Sequence, residues 1–178
     1  TLTSQLPRPL GAAPNEGSSK NPSIARASLW NIVWKAKVPH KVRIFTWRAA
    51  IDSLPTKDNK HRRTLELDGI CNLCGAAIEN THHATVVCTK QRALREEMSK
   101  IWKLSEDKSI MPFSPDWLLQ RLSICHGEMR EKLMLVLWRA WHLRDDVVHN
   151  KGEATVQDSV IFSRNYLECL SSPNPVVN

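Results

Sequence analysis

Hydrophobic residues along this chain recur mostly three and four positions apart, the spacing of helices that bury one face. Leu29–Lys37 puts Leu29, Ile32, Val33 and Trp34 partly on one side, which predicts a short helix ending before Pro39. Pro39 suits the first turn of a second helix, where its missing N–H costs nothing, and that helix should run to about Ser53, with Pro55 ending it. Val42, Phe45, Ala49 and Leu54 supply its apolar side, widened by Ile44, Trp47 and Ile51. Thr56–Arg63 reads as a short basic helix that leads on through Leu65, Leu67 and Ile70. Gln91–Leu104 is amphipathic, with Leu94, Met98, Ile101 and Trp102 on the buried side. Ser109–Pro115 reads as a loop, and Asp116 as the cap of a helix through Leu122. Glu128–His149 is the strongest helical segment: Leu133, Val136, Leu137, Ala140, Trp141 and Val148 form its core face, and Gly152 would stop it. A last helix covers about Thr155–Leu170. No βαβ nucleotide-binding unit appears, so the expected fold class is mainly α.

The segments fall into four parts. Residues 1–28 are a flexible leader or linker: four of the ten prolines and few large apolar side chains leave too little surface to offset the entropy of ordering. Residues 29–104 form a small helical domain with a metal-binding loop, 105–170 a further helical region, and 171–178 a tail. With 42% hydrophobic residues and seven tryptophans, a packed core is within reach. No apolar run is long enough to span a membrane, and the amino-terminal segment has no signal-like apolar stretch. A start at Thr1 suggests a piece of something longer.

Charge adds a local feature. The net charge is +7, and between Trp30 and Arg63 nine basic residues face only Asp52 and Asp58, so the whole excess lies there. Such a patch is what phosphate-backbone binding uses. A solvated helix face without a partner is the plainer explanation. Trp30, Trp34 and Trp47 fall in the same region, where helical spacing among aliphatic residues favours a core role over stacking on unpaired bases. Trp138 and Trp141 read as core or as a partner-facing patch.

The sharpest chemistry is Cys71-x2-Cys74-x8-His83-x4-Cys88, four soft ligands within eighteen residues. Zinc favours tetrahedral thiolate and imidazole coordination, and one Cys-x2-Cys turn can offer two sulfurs to one ion. Gly75, next after the second cysteine, gives that turn its backbone freedom. Five cysteines, an odd number clustered at ligand spacing, point to a reducing compartment (intracellular, nuclear and/or cytoplasmic) and to metal binding over disulfides. His82 and His83 compete for the third ligand position. Glu79 is either an exposed loop carboxylate or a group that orients a ligand imidazole. Cys125 and Cys169 lie outside ligand spacing, and Cys125 beside His126 lacks a third group for a nucleophile dyad. Asp145 and Asp146 are adjacent and would point about 100° apart on a helix, a poor basis for two-metal catalysis.

The motifs carry a resemblance. Trp30-x3-Trp34, Val38-Pro39 with Lys41-Val42-Arg43-Ile44-Phe45 and Trp47-Arg48, Leu54-Pro55-Thr56, and then Cys71, Cys74, Glu79, His83 and Cys88 resemble the reverse-transcriptase zinc-binding domain of plant non-LTR (LINE-type) retrotransposon polyproteins. The likeness covers about residues 29–102. It implies a CCHC zinc loop with His83 as the histidine ligand and His82 as the fallback. Leu135–Lys151 resembles the helical connector that precedes a ribonuclease H domain in such polyproteins. Two positions depart from the family pattern: Asn80 replaces Ser or Thr after Glu79, and Asp145 replaces the asparagine that follows Arg144. A polymerase Tyr-x-Asp-Asp motif and a ribonuclease H carboxylate set are both absent.

The expected function is therefore that of a non-enzymatic module with one structural Zn2+ at Cys71, Cys74, His83 and Cys88. Lys41, Arg43, Arg48, Lys60, Arg62 and Arg63 would contact RNA or an RNA–DNA hybrid with weak sequence specificity. The alternative is a captured transposon fragment that binds a protein partner through its helical surface. Neither reading involves a membrane.

Overall fold

The computed structural model describes residues 29–104, 116–149 and 155–171. The expected leader, the Ser109–Pro115 loop, the Gly152 stop and the tail lie outside them. Helix α1 covers residues 29–34 and buries Val33 completely, with Leu29, Trp30 and Ile32 packed partly against the core. Trp34 departs from that side and is 38% exposed.

Pro39 stands immediately before helix α2 (His40–Ala50), where its carbonyl accepts the N–H groups of Val42 and Arg43. Val42, Phe45, Thr46, Ala49 and Ala50 are buried. The helix ends earlier than the apolar spacing suggests, because Asp52 takes a left-handed conformation (φ 52°) and turns the chain. Ile51, just past that end, is exposed, and so is Trp47 within the helix, although both were expected to widen the apolar side. The turn leads into helix α3 (Lys57–Arg62), whose first turn is capped by the Thr56 hydroxyl accepting the Asn59 N–H. The buried Asn59 side chain donates 2.9 Å hydrogen bonds to the carbonyls of Asp52 and Leu54, which locks α3 onto the turn.

Beyond α3 the chain forms a loop through residue 80 whose single bridge pairing is the isolated Ile70–Ile78 bridge; the described residues contain no strand. Leu65, Leu67 and Ile70, through which the chain leads on from α3, are exposed, Leu67 almost fully at 98%. The loop is held by hydrogen bonds and not by an apolar wall, so these side chains have nothing to pack on.

A π-helical turn (His83–Val87) passes into helix α4 (Thr89–Trp102). Gln91, Leu94, Met98 and Trp102 make its buried stripe, while Ile101 lies off it and is exposed. Helices α5 (Trp117–Ile124), α6 (Glu128–Val148) and α7 (Val156–Ser171) complete the described chain. Every residue of α6 from Leu133 to Trp138 is buried, so this helix has no solvent face over nearly two turns. It contacts α2, the π-turn, α4 and α7. Val33, Val42, Phe45, Leu94, Met98, Leu118, Leu122 and the α6 side chains join in one apolar cluster, to which both sides of position 104 contribute. Each fully buried leucine of this kind stabilises the fold by about 1.5–3 kcal/mol relative to exposure. Trp138 stacks on Tyr166 of α7, with Lys41 of α2 placed over both rings at 5.1 and 5.2 Å.

Candidate metal centre

The chain from Gly69 to Glu79 folds back on itself: the Cys71 N–H donates to Ala77 O, and the Glu79 N–H to Gly69 O, each at 2.8 Å. Between them, Gly75 adopts φ 64°, so the turn needs the residue with least penalty there. Its N–H closes the turn onto Cys71 O at 2.8 Å. This hairpin presents Cys71 and Cys74. The second half of the site comes from the π-turn, where the Cys88 N–H reaches back five residues to His83 O. That wider turn brings Cys88 and His83 to the same place, a local departure from α-geometry of the kind often found at functional sites.

The two halves converge. One ligand atom each from Cys71, Cys74, His83 and Cys88 lies within 4.8 Å of all the others. Cys71 Sγ and Cys88 Sγ are 3.7 Å apart, and Cys74 Sγ is 3.4 Å from His83 Nε2. A tetrahedral zinc with bonds of about 2.3 Å to sulfur and about 2.0–2.1 Å to nitrogen spaces its ligands at roughly 3.8 Å and 3.6 Å, so the donor set fits one such ion. All four groups are shifted from their ordinary ranges. Burial pushes the Cys88 thiol up to about 12, with the neighbouring Cys71 adding to the effect, and burial likewise raises Cys71. The Ala76 N–H aimed at Cys74 holds that thiol below its ordinary range. Burial lowers the His83 imidazole, which favours the neutral form that metals bind. Buried thiols crowded in this way, with no disulfide among them, gain from a shared cation.

His82, the competing histidine, points elsewhere. Its ring stands edge-on to Trp117 of α5, and burial depresses it to about 4. Glu79 is neither an exposed carboxylate nor a partner to an imidazole among the hydrogen bonds formed. It is 1% exposed and receives two hydrogen bonds from Arg144 of α6, Nε to Oε1 at 3.0 Å and Nη2 to Oε2 at 2.6 Å. A third donor is the Lys57 N–H at the start of α3, 2.7 Å from Oε2. Burial pushes the Glu79 carboxyl up, but the Arg144 hydrogen bonds and charge outweigh it and leave the group lowered. Arg144 belongs to the pair whose second residue departs from the family pattern, and sequence spacing gave no sign that it reaches position 79. Cys125 is buried in the core and Cys169 is exposed on α7, both away from this cluster.

Of the six basic residues expected to contact nucleic acid, Lys41, Arg43 and Arg62 make contacts within the chain. Lys41 lies over Trp138 and Tyr166, and Arg43 donates to Trp34 O at 3.0 Å. Arg62 pairs with Asp52 at 2.8 Å and Asp58 at 3.2 Å, and also donates to Asn59 Oδ1. Arg48 and Arg63 are exposed and Lys60 half-buried, with no acidic partner among the described residues. Asp145 is paired with Arg144 and His149. No described helix is long and apolar enough to cross a membrane.

Comparison with known proteins finds likenesses to part of the chain. Residues 18–94 match the family model described as zinc-binding in reverse transcriptase, which is a zinc-binding module and not the catalytic part of the enzyme. An Arabidopsis thaliana protein named as a candidate ribonuclease H protein is 32% identical over 65 residues, 36% of this chain. The alignment covers about a tenth of that relative's length (10%). No solved structure matches significantly. The Cys-x2-Cys hairpin and the His-x4-Cys π-turn both fall inside the matched segment, and residues 18–94 are a zinc-binding domain of the reverse-transcriptase type.

Proposed function

We propose that Cys71, Cys74, His83 and Cys88 hold one Zn2+ as a closed, structural site, and that the chain is a non-catalytic module of a retrotransposon-derived protein. The observation that carries this is the convergence of four ligand atoms within 4.8 Å from two separate turns. All four positions around the ion are filled by protein, which leaves none for a substrate or an activated water. Bound zinc would supply cross-linking of hairpin and π-turn, worth on the order of 10 kcal/mol. Elemental analysis of protein purified without added metal tests the site. One zinc per chain is expected, and a value well below one, with Cys88→Ser leaving stability unchanged, refutes it.

The module's partner in this reading is RNA or an RNA–DNA hybrid. Support comes from the basic excess around α2 and α3, in which Arg48, Lys60 and Arg63 have no acidic partner among the described residues and no aromatic ring beneath them. Three phosphate contacts imply a log–log salt slope of roughly −2 to −3. Affinity for a structured RNA, measured against salt for wild type and for Lys60→Glu/Arg63→Glu, decides; a flat plot or an unchanged affinity rejects it. Arg62 is a poor probe, because reversing its charge also breaks the pairing with Asp52.

A second reading, docking of a protein, is favoured by the exposed side chains of Leu65, Leu67, Ile70 and Ile78 around the metal loop. A complex that survives high salt and is lost on Leu67→Asp would select it.

A further inference from the structure

We propose that Arg144 is a positioning residue for the metal centre, so that the site depends on a side chain from α6, well beyond the matched segment. The inference rests on the zinc reading above. It starts from an asymmetry between the two halves of the site. The His83–Cys88 half is built into the core: Ala84 and Leu94 are buried in the apolar cluster, and the π-turn packs against α6 and α4. The Cys71–Cys74 half has no such anchor. Leu65, Leu67, Ile70 and Ile78 around it are all exposed. A hairpin without an apolar footing needs another way to be held at ligand distance from its partner half.

Glu79 provides that footing. Its main-chain N–H closes the hairpin by donating to Gly69 O, and its carbonyl ties the hairpin to α3 by accepting from the Asp58 N–H. Its side chain receives the Lys57 N–H and the two-pronged grip of Arg144, whose guanidinium also lies 4.9 Å over the Trp141 ring on the same helix. Both members of the pair are almost fully buried, at 1% and 3% exposure. Planar, bidentate contacts of this sort fix orientation as well as distance. Glu79 Oε1 is also 3.9 Å from Cys71 Sγ, so the clamp acts directly beside a ligand atom. Arg144 thus sets the hairpin in register with the π-turn, and α6 is the common frame on which both halves of the site are mounted. Removing one member leaves the other as an uncompensated buried charge, while removing both does not.

The test is zinc affinity by chelator competition on the full chain, with cobalt(II) absorption as a report of ligand geometry. Wild type is compared with Arg144→Met, Glu79→Gln, the double variant, Arg144→Lys, and Leu143→Ala as a neighbour that weakens the core without touching Glu79. Arg144→Met is expected to lose tenfold or more in zinc affinity. The double variant should be no weaker than Arg144→Met alone, Arg144→Lys intermediate, and Leu143→Ala much closer to wild type at matched loss of thermal stability. The proposal is overturned if Arg144→Met stays within twofold of wild type, if Leu143→Ala loses as much, or if the Glu79→Gln and Arg144→Met losses multiply. Should Arg144→Met fail to fold, Arg144→Lys and Glu79→Gln against Leu143→Ala give the same decision. A wild-type chain that takes up no zinc fails the zinc reading itself, and is recognised before any variant is compared.

Discussion

His82 and Trp117 meet edge to face, ring centroids 4.7 Å apart at 81°, while the adjacent His83 turns its Nε2 toward Cys74. Two neighbouring histidines thus have different duties, one in packing α5 and one at the metal cluster. His83→Ala should abolish stoichiometric zinc under chelator competition. His82→Ala should keep one zinc per chain and lose only the ring contact, roughly 1 kcal/mol of stability. Zinc loss in the second variant and retention in the first would reverse the assignment.

Apolar residues of similar size should differ sharply in their effect. Leu143 is fully buried in α6, so Leu143→Ala should cost about 2–5 kcal/mol in denaturant unfolding. Leu67 is almost wholly exposed, and Leu67→Ser should stay within about 0.5 kcal/mol of wild type. A large loss at Leu67 in the isolated chain would mean that the loop packs on something within the same molecule.

His142 should give the protein a pH dependence separate from metal release. Burial lowers this imidazole, Arg139 and Lys41 lower it further, and Asp146 and Asp145 oppose them. The folded state therefore binds its proton less readily than the unfolded state. Its contribution is complete above the unfolded value of about 6.5 and declines as pH falls from there through the folded value. An NMR titration of the His142 ring should show a midpoint below 6.5. Between pH 8 and 5, His142→Asn should lose less stability than wild type.

A fragment comprising residues 29–104 should not fold cooperatively, even with zinc. Val33, Val42, Phe45, Leu94 and Met98 share one apolar cluster with the side chains of α6, and the fragment would leave them uncovered. Thermal unfolding by near-ultraviolet circular dichroism checks this: a sharp zinc-dependent transition in the fragment would count against it.

Much of this was legible in the sequence, and the rest had physical reasons to be hidden. Periodicity located the helices and the inward stripe Leu94–Met98–Trp102, because helices report their burial at fixed spacing. Ligand chemistry located the metal cluster, because few residue types bind zinc. The spacing could not give the early end of α2, which depends on a left-handed Asp52. Nor could it give the exposure of Leu65 and Leu67, since hydrophobicity alone does not say whether a wall exists to pack on. The Glu79–Arg144 pair joins positions 65 residues apart, and no local pattern records such a contact. The basic cluster was legible as composition. Which of its members were already committed to Asp52, Trp138 or Tyr166 was not.

Helix α6 touches α2, α4, α7 and the π-turn, and it is walled in from Leu133 to Trp138. A rod enclosed on so many sides has no free track along which to slide or swivel. Torque arriving through α7 would pass by way of α6 to α2, α4 and the π-turn together, because α6 packs against all of them.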